Sequence, residues 1–238
     1  MTSDPFYLGA YWGPRSEPVQ VCARRLTRCL ESLGTVSEIL GSWYLTGHTL
    51  QAAQRYPVAI EASALVDVLL AGQNRRDADK SVITELGYSA SVWNGNAKAP
   101  AGVRVTCGAY TTAPGLVSNT FVLDLPAPDQ ASALYEPVLA RKLMQAVVDA
   151  WEPDWAVLVS DSLRDAQQPR PRQPVIGWMT YLSSCQGTFP TLPNGVLAES
   201  MGKGTLILFD ERPCVLTAPK VQELAALLDD AGCLQPTS

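Results

Sequence analysis

Histidine and charged residues are both scarce in this sequence. His48 is its one histidine, and 17% of the 238 residues are charged, against an average of about 25% for globular proteins. A single histidine excludes a metal site built from several histidines and leaves one residue for histidine-based catalysis. The low charge, combined with 47% hydrophobic residues, also excludes an intrinsically disordered chain.

Long hydrophobic runs are missing as well. The run Trp155–Val159 is among the longest, and it is far shorter than the roughly 20 residues that a membrane-spanning helix needs. The segment after Met1 has no basic stretch followed by an apolar one, so it does not have the pattern of a secretion signal. We therefore expect a cytoplasmic protein that does not associate with a membrane.

Positively charged residues are fewer than negatively charged ones. Lysine and arginine total 18 and aspartate and glutamate total 23, which gives a net charge of −5. Proteins that bind nucleic acid in general need clustered positive charge to displace counterions. The charge balance therefore argues against direct nucleic-acid binding and is compatible with a basic partner.

The cysteines have none of the spacings of a zinc site. Cys22 and Cys29 are the nearest pair, and seven helical residues place them about 10 Å apart along one helix. That separation is too long for a disulfide. The sequence therefore predicts no metal site and six reduced thiols, at Cys22, Cys29, Cys107, Cys185, Cys214 and Cys233.

Helical and strand patterns are interspersed along the chain without regular alternation. Apolar residues spaced by three and four predict four helices, and aromatic or β-branched runs predict the strands. This mixture is typical of an α+β fold with a mostly antiparallel sheet packed with several helices. We expect one domain over residues 1–238, or two closely fused lobes. The predicted helices are 16–33, 60–71, 131–151 and 217–230; the predicted strands are 6–12, 39–45, 88–93, 103–110, 120–125, 155–160, 177–183 and 204–209.

Several motifs resemble catalytic signatures but fail in detail. The segment Gly202–Thr205 lacks the upstream glycine and the serine or threonine after the lysine that a phosphate-binding loop needs, so it is interpreted as a turn. The carboxylates Glu152 and Asp154 fit a helix-to-strand junction better than glycosidase or metal chemistry. His48 is interpreted as a loop residue. The sequence therefore predicts no catalytic, cofactor-binding or metal-binding residue and no cofactor.

The segment Asn74–Asp77 contains two adjacent arginines. Arginine is enriched at protein interfaces, so a partner contact is one interpretation. The favoured alternative is structural: the guanidinium groups would bond a nearby carboxylate, such as that of Asp77 or Glu85, and tie a helix end to the next strand.

Six segments, in order along the chain, resemble the immunity protein 52 family. The resemblance covers nearly the whole sequence, from about Phe6 to Cys233, and the segments that carry it lie between Phe6 and Leu182. The segments are Phe6–Arg15, Ala71–Asp77, Glu85–Ser89 with Val92–Gly95, Ser118–Pro126, Trp151–Trp155 and Gly177–Leu182.

The resemblance implies a protein that is not an enzyme. Its partner would be a cognate nuclease toxin, a DNase of restriction-endonuclease-like type delivered by type VI secretion. The protein would neutralise this toxin by covering its active site or by blocking its assembly. The acidic charge agrees with a toxin whose DNA-binding face is basic, because complementary charge speeds association. The resemblance specifies neither binding residues nor an oligomeric state.

Five acidic residues at strand ends or in loops are the candidate partner-binding residues. An ordinary solvated surface charge is the alternative for each. Two other classes of function remain open: a chaperone or adaptor that carries a toxin without inhibiting it, and a small hydrolase using Asp154, Asp161 or Cys185. The five candidates are Asp161, Asp165, Glu199, Asp210 and Glu211.

Overall fold

The computed structural model describes residues 4–46, 51, 54–112, 119–170, 172–185 and 188–235. These residues form two compact units. Tyr11–Asp124 is the unit central in the sequence, and Met1–Ala10 together with Leu125–Ser238 forms the other. We call them the central unit and the terminal unit.

The central unit combines a short antiparallel sheet with two helices. Its strands are ordered β2-β3-β4-β5, and each pairs antiparallel with its neighbour. Helix α1 packs against α2. The elements are α1 (Val19–Val36), β2 (Tyr44–Leu45), α2 (Ala62–Ala71), β3 (Tyr88–Trp93), β4 (Gly102–Cys107) and β5 (Asn119–Asp124), with 3₁₀ turns at Glu38–Leu40 and Thr84–Leu86.

Helix α1 has the apolar face that its spacing predicts, but its ends differ from the prediction. It begins after Pro18 rather than at Ser16 and receives no side-chain cap. It also continues past Gly34 to Val36. A Cβ at Gly34 would lie 3.2 Å from the Cα of Gly41, so this glycine allows a close backbone approach and does not end the helix.

Two buried asparagines organise the loops of the central unit. Asn119, at 0% exposure, accepts from the Ala109 N–H (2.8 Å) and donates to the carbonyl oxygens of Ala109 (3.0 Å) and Gly13 (2.7 Å). Asn94, at 5% exposure, donates to the carbonyls of Ile39 and Ala99. Each amide group thus replaces backbone pairing that these turns lack.

The terminal unit has five strands in the order β1-β6-β7-β9-β8. Strand β1 (Phe6–Trp12) contributes its residues up to Ala10 to this unit. The β6–β7, β7–β9 and β8–β9 pairs are antiparallel. The other elements are α3 (Pro137–Trp151), β6 (Trp155–Ser160), α4 (Asp161–Gln167), β7 (Met179–Leu182), β8 (Val196–Met201), β9 (Gly204–Phe209) and α5 (Ala218–Asp230), with 3₁₀ turns at Ser132–Tyr135 and Pro213–Val215.

Two local predictions need correction, and two elements were missed. The predicted strand 39–45 is a 3₁₀ turn followed by the two-residue strand β2. The predicted helix 131–151 is interrupted at Glu136, which is extended, because a residue before proline is disfavoured in the helical region. Strand β8 and helix α4 were not predicted; four consecutive exposed residues in β8 give no alternating pattern.

The prediction of six reduced thiols is wrong for two cysteines. Cys185, in the loop after β7, and Cys233, after α5, form a disulfide. Their 48-residue separation gives no sign of proximity, which arises only when the loop and the end of α5 meet. Cys22, Cys29, Cys107 and Cys214 are outside any disulfide, as predicted; the first three are buried and Cys214 is exposed.

The architecture confirms the α+β prediction and the mostly antiparallel sheet pairing. The Gly202–Thr205 segment contains the turn of the β8–β9 hairpin, as interpreted from the sequence. Within the described ranges, no helix is both long enough and apolar enough to cross a bilayer.

Candidate functional site

Four of the five candidate acids lie at one edge of the terminal sheet. Strands β6 and β9 are each antiparallel to β7, so they run in the same direction and end at the same edge. Asp161 and Asp165 follow β6, and Asp210 and Glu211 follow β9. The two strand ends are separated by one strand, so they lie about 10 Å apart. Glu199 lies instead in the middle of β8.

Asp161 and Asp165 share one arginine. Arg164 lies 3.0 Å from the Asp161 carboxylate and 2.9 Å from the Asp165 carboxylate. Its guanidinium also stacks over the ring of Tyr7 at 5.7 Å. The hydrogen bond to Asp165 raises the pKa of Arg164, so the guanidinium stays positively charged. Arg164 and the two carboxylates together have a net charge of −1.

The two acids after β9 are fixed by different contacts. Glu211 forms an ion pair with Lys220 at 2.7 Å, and its backbone carbonyl accepts the indole N–H of the buried Trp178 at 2.9 Å. The backbone N–H of Asp210 donates to the carbonyl of Gly195 at 2.9 Å. These bonds fix the backbone of this segment after the strand ends.

Glu199 belongs to a different surface. It pairs with Arg141 of α3 at 2.8 Å. Leu197, two residues before Glu199, is 51% exposed, and Val138, one helical turn before Arg141, is 64% exposed. The outer strand β8 thus presents an ion pair flanked by exposed apolar side chains.

Ion pairing lowers the negative charge of the candidate acids. Four of the five carboxylates contact a cation, and the three cations leave a net charge of −2 for the set. These pairs are largely solvent-exposed, so each contributes about 0–1 kcal/mol and its members remain available to a partner.

A second acidic feature is a solvent-open cleft of about 240 Å³ in the terminal unit. Asp149 comes from the last turn of α3, Glu152 and Asp154 from the junction before β6, and Tyr181 from β7. Tyr181 lies opposite Ala156 in the β6–β7 register. The pleat directs Asp154, two residues before Ala156, toward the same face.

The charges of this cleft act on Tyr181. Burial raises the pKa of Tyr181, and the carboxylates of Asp149, Glu152 and Asp154 raise it further. Lys203, in the β8–β9 turn, pairs with Glu152 at 3.0 Å. Glu152 and Asp154 lie at the helix-to-strand junction, as predicted from the sequence, but the cleft that they line was not predicted. The one signal for it was the density of carboxylates between residues 149 and 154.

The three residues considered for a hydrolase, Asp154, Asp161 and Cys185, do not form one catalytic site. Cys185 is held in the disulfide and is therefore not a thiol nucleophile. Asp154 lines the cleft, whereas Asp161 begins α4 after the opposite end of β6. In the part of the chain that the structure describes, no three His, Cys, Asp or Glu residues are grouped to hold a metal ion. His48 lies outside the described residues.

The Asn74–Asp77 segment forms a tight backbone-bonded loop in the central unit. Ile83 N–H donates to the Asn74 carbonyl at 2.8 Å, and the Arg75 guanidinium donates to the Lys80 carbonyl at 3.1 Å. The predicted bond from these guanidinium groups to a carboxylate such as that of Asp77 or Glu85 is not found among the described residues, and Arg75 bonds a backbone carbonyl instead.

Comparison with known proteins found a solved structure of similar fold. The chain is similar in fold to the solved Pseudomonas aeruginosa T6SS protein PA0821, with 11% sequence identity and a TM-score of 0.53. The similarity covers 96% of this chain and 75% of that one. No curated protein matches the sequence.

The family model named immunity protein 52 matches residues 4–237, which is nearly the whole chain. It includes all the segments that carry the resemblance, among them Ser118, which lies outside the described residues. The chain therefore belongs to the immunity protein 52 family.

Proposed function

We propose that this protein binds and neutralises a nuclease toxin delivered by type VI secretion. The family match over residues 4–237 carries the proposal, because members of an immunity family act by binding a toxin and not by catalysis. The fold shared with a type VI secretion protein supports the secretion context. The nuclease class of the toxin rests on the resemblance of the sequence motifs.

The charge of the protein supports a partner with a basic surface. The net charge is −5, and a nuclease must present positive charge to DNA. Charge complementarity of this kind raises association rates. Fast association suits a protein that must reach a toxin before the toxin reaches DNA.

The first test is a DNA-cleavage assay with the toxin encoded beside this protein's gene. We expect cleavage to fall to zero at an equimolar ratio, and the two proteins to co-elute in size-exclusion chromatography. A co-eluting complex that still cleaves DNA would identify a chaperone or adaptor instead. Absence of both complex and inhibition would contradict the proposal for this toxin.

The mode of inhibition is tested by competition. If the protein covers the active site, excess DNA should slow formation of the complex with a catalytically inactive toxin. If it blocks assembly, DNA should have no effect and the toxin should change from an oligomer to a 1:1 complex. Multi-angle light scattering of the toxin with and without the protein distinguishes these outcomes.

We propose that the toxin is bound by the four acids at the sheet edge, Asp161, Asp165, Asp210 and Glu211, and by Glu199 on the separate surface of β8. Replacing all five by their amides should reduce the association rate about tenfold at low salt, and 0.5 M NaCl should remove most of the difference. Amides keep the side-chain volume, so circular dichroism should show an unchanged fold. Unchanged association rates would exclude these five acids as binding residues.

We also propose that the protein acts in the cytoplasm, where a DNase finds its target. Disulfides persist mainly in oxidising compartments, so the Cys185–Cys233 bond should be reduced in the cytoplasm. Cell fractionation with thiol alkylation tests both points. We expect the protein in the cytoplasmic fraction with these two thiols reduced during growth, and recovery from the periplasm would contradict the proposal.

A further inference from the structure

The hydroxyl group of Tyr181 faces the acidic cleft of the terminal unit. Tyr181 is 2% exposed and lines the acidic cleft, where a Cβ at Gly202 would lie 3.9 Å from its oxygen. Among the described residues, it has no hydrogen-bond partner. By contrast, the hydroxyl of the buried Tyr135 donates to the Pro126 carbonyl at 2.6 Å. The Tyr181 hydroxyl faces the solvent-open cleft, where a ligand could pair with it.

The surrounding charges define the chemistry of that ligand. Asp149, Glu152 and Asp154 surround the hydroxyl closely enough to raise its pKa. Ionised carboxylates accept hydrogen bonds and do not donate them, whereas a protonated tyrosine can do both. A ligand that satisfies this cleft therefore carries positive charge and several N–H donors.

The arrangement favours an organic cation over a metal ion. In the described ranges, no three carboxylates are close enough to share a metal. A guanidinium has five N–H donors in a rigid plane and can reach several separated acceptors at once. Val148 and Pro153 also line the cleft and offer apolar contact for a methylene chain. Lys203 already places an ammonium on Glu152 at 3.0 Å, so the rim accepts a cation.

We propose that this cleft binds the guanidinium group of an arginine side chain presented by the toxin. The carboxylates of Asp149 and Asp154 accept its N–H groups, and the Tyr181 hydroxyl accepts a further one deeper in the cleft. The exposed Lys203–Glu152 pair opens to admit it. The inference rests on the proposed function, since the toxin supplies the arginine.

The first experiment measures binding of a catalytically inactive form of the adjacent-gene toxin by isothermal titration calorimetry. Tyr181→Phe and Asp154→Asn should each raise Kd about tenfold, because each removes a hydrogen bond to a charged group. Asp230→Asn, a matched change at an exposed acid of α5, should stay within twofold of the unmodified protein. Tyr181→Phe should keep the Tm unchanged, since the free protein loses no hydrogen bond, so weaker binding cannot be attributed to misfolding.

The outcomes separate this inference from the proposed function. If the unmodified protein binds the toxin and the cleft variants bind equally well, the arginine site is wrong and the proposed function stands. If the unmodified protein does not bind the toxin, the proposed function fails for that toxin, and the cleft is judged by a second probe.

That probe is arginine amide, with citrulline amide, whose side chain is uncharged, as its control. In protein labelled at the tyrosine ¹³Cζ position, the signal absent from Tyr181→Phe reports on this hydroxyl. It should shift saturably with arginine amide and remain still with citrulline amide. Equal responses to both, or none, would overturn guanidinium binding. Arginine amide could shift the signal even though the Tyr181→Phe and Asp154→Asn variants bind the toxin normally. In that case the cleft binds a guanidinium group, but the toxin does not supply it, and the proposal is wrong on that point.

Discussion

The two units of the molecule use different means to fix their loops. In the central unit, Asn119 and Asn94 are buried and use their amide groups to bond backbone that no strand reaches. In the terminal unit, a disulfide joins the loop after β7 to the chain after α5. Its charged groups pair mostly at the surface, as Arg170 does with Asp229 at 2.8 Å.

The two units differ in whether these polar side chains are buried or lie at the surface. A buried amide group stabilises because leaving its partners unpaired is costly. A surface ion pair contributes little and can exchange partners. Asn119 and Asn94 thus serve the structure of the central unit, whereas the paired surface carboxylates of the terminal unit stay where a basic partner can reach them.

The sharpest test of this comparison is Asn119→Ala. The change leaves the Ala109 N–H and the carbonyls of Ala109 and Gly13 without their amide partner. We expect the free energy of unfolding to fall by about 3–4 kcal/mol, as measured by urea denaturation. Asn74→Ala, at an exposed asparagine of the same unit, should cost less than about 0.5 kcal/mol. If both variants lose the same free energy of unfolding, buried amide groups do not stabilise the central unit more than exposed ones do.

The terminal unit should respond to loss of its covalent link. Replacing Cys185 and Cys233 together by alanine opens a loop of 48 residues and should cost about 2–4 kcal/mol in denaturant unfolding under oxidising conditions. Cys214→Ala, at the exposed free thiol, serves as the control and should have almost no effect. If reducing agent alone does not lower the stability of the unmodified protein, the disulfide does not support this unit.

Glycines at close backbone approaches should make the two units respond alike. A Cβ at Gly72 would overlap the Ser89 carbonyl in the central unit, and one at Gly177 would overlap the Leu158 carbonyl in the terminal unit. We expect each alanine substitution to cost about 1–3 kcal/mol in thermal or urea unfolding. Gly102→Ala is the control, since its Cβ would meet nothing closer than 3.6 Å. A tolerated Gly177→Ala would show that this strand can shift.

The smallest effect should be a pH dependence at Asp4 in the terminal unit. Burial raises the pKa of Asp4, but hydrogen bonds from Ser160 and Ser162 outweigh it and leave the pKa below its ordinary value. A lowered pKa gives stability that is present above about pH 4, the unfolded value, and is lost as the pH falls through the folded value. The stability difference between the unmodified protein and Asp4→Asn should therefore shrink below pH 4. A difference constant from pH 6 to pH 2 would contradict this.

Local patterns determined much of the secondary structure. The three-and-four spacing of apolar residues is enough to place α1, α2 and α5, because burying one face is what stabilises such helices. Alternation and aromatic runs likewise place most strands. Strand β8 escaped prediction because both its faces are exposed, and helix α4 because seven residues are too few for a periodic signal.

The sequence by itself determined the α+β class, the acidic balance and the family, since composition, periodicity and motif order are properties of the chain alone. Only the tertiary structure decided which distant groups meet. The joining of Cys185 to Cys233, the bonds of Asn119 to Gly13 and the convergence of Asp149, Asp154 and Tyr181 on one cleft all depend on strand order and register. Those are set by packing over the whole unit, and no local spacing records them.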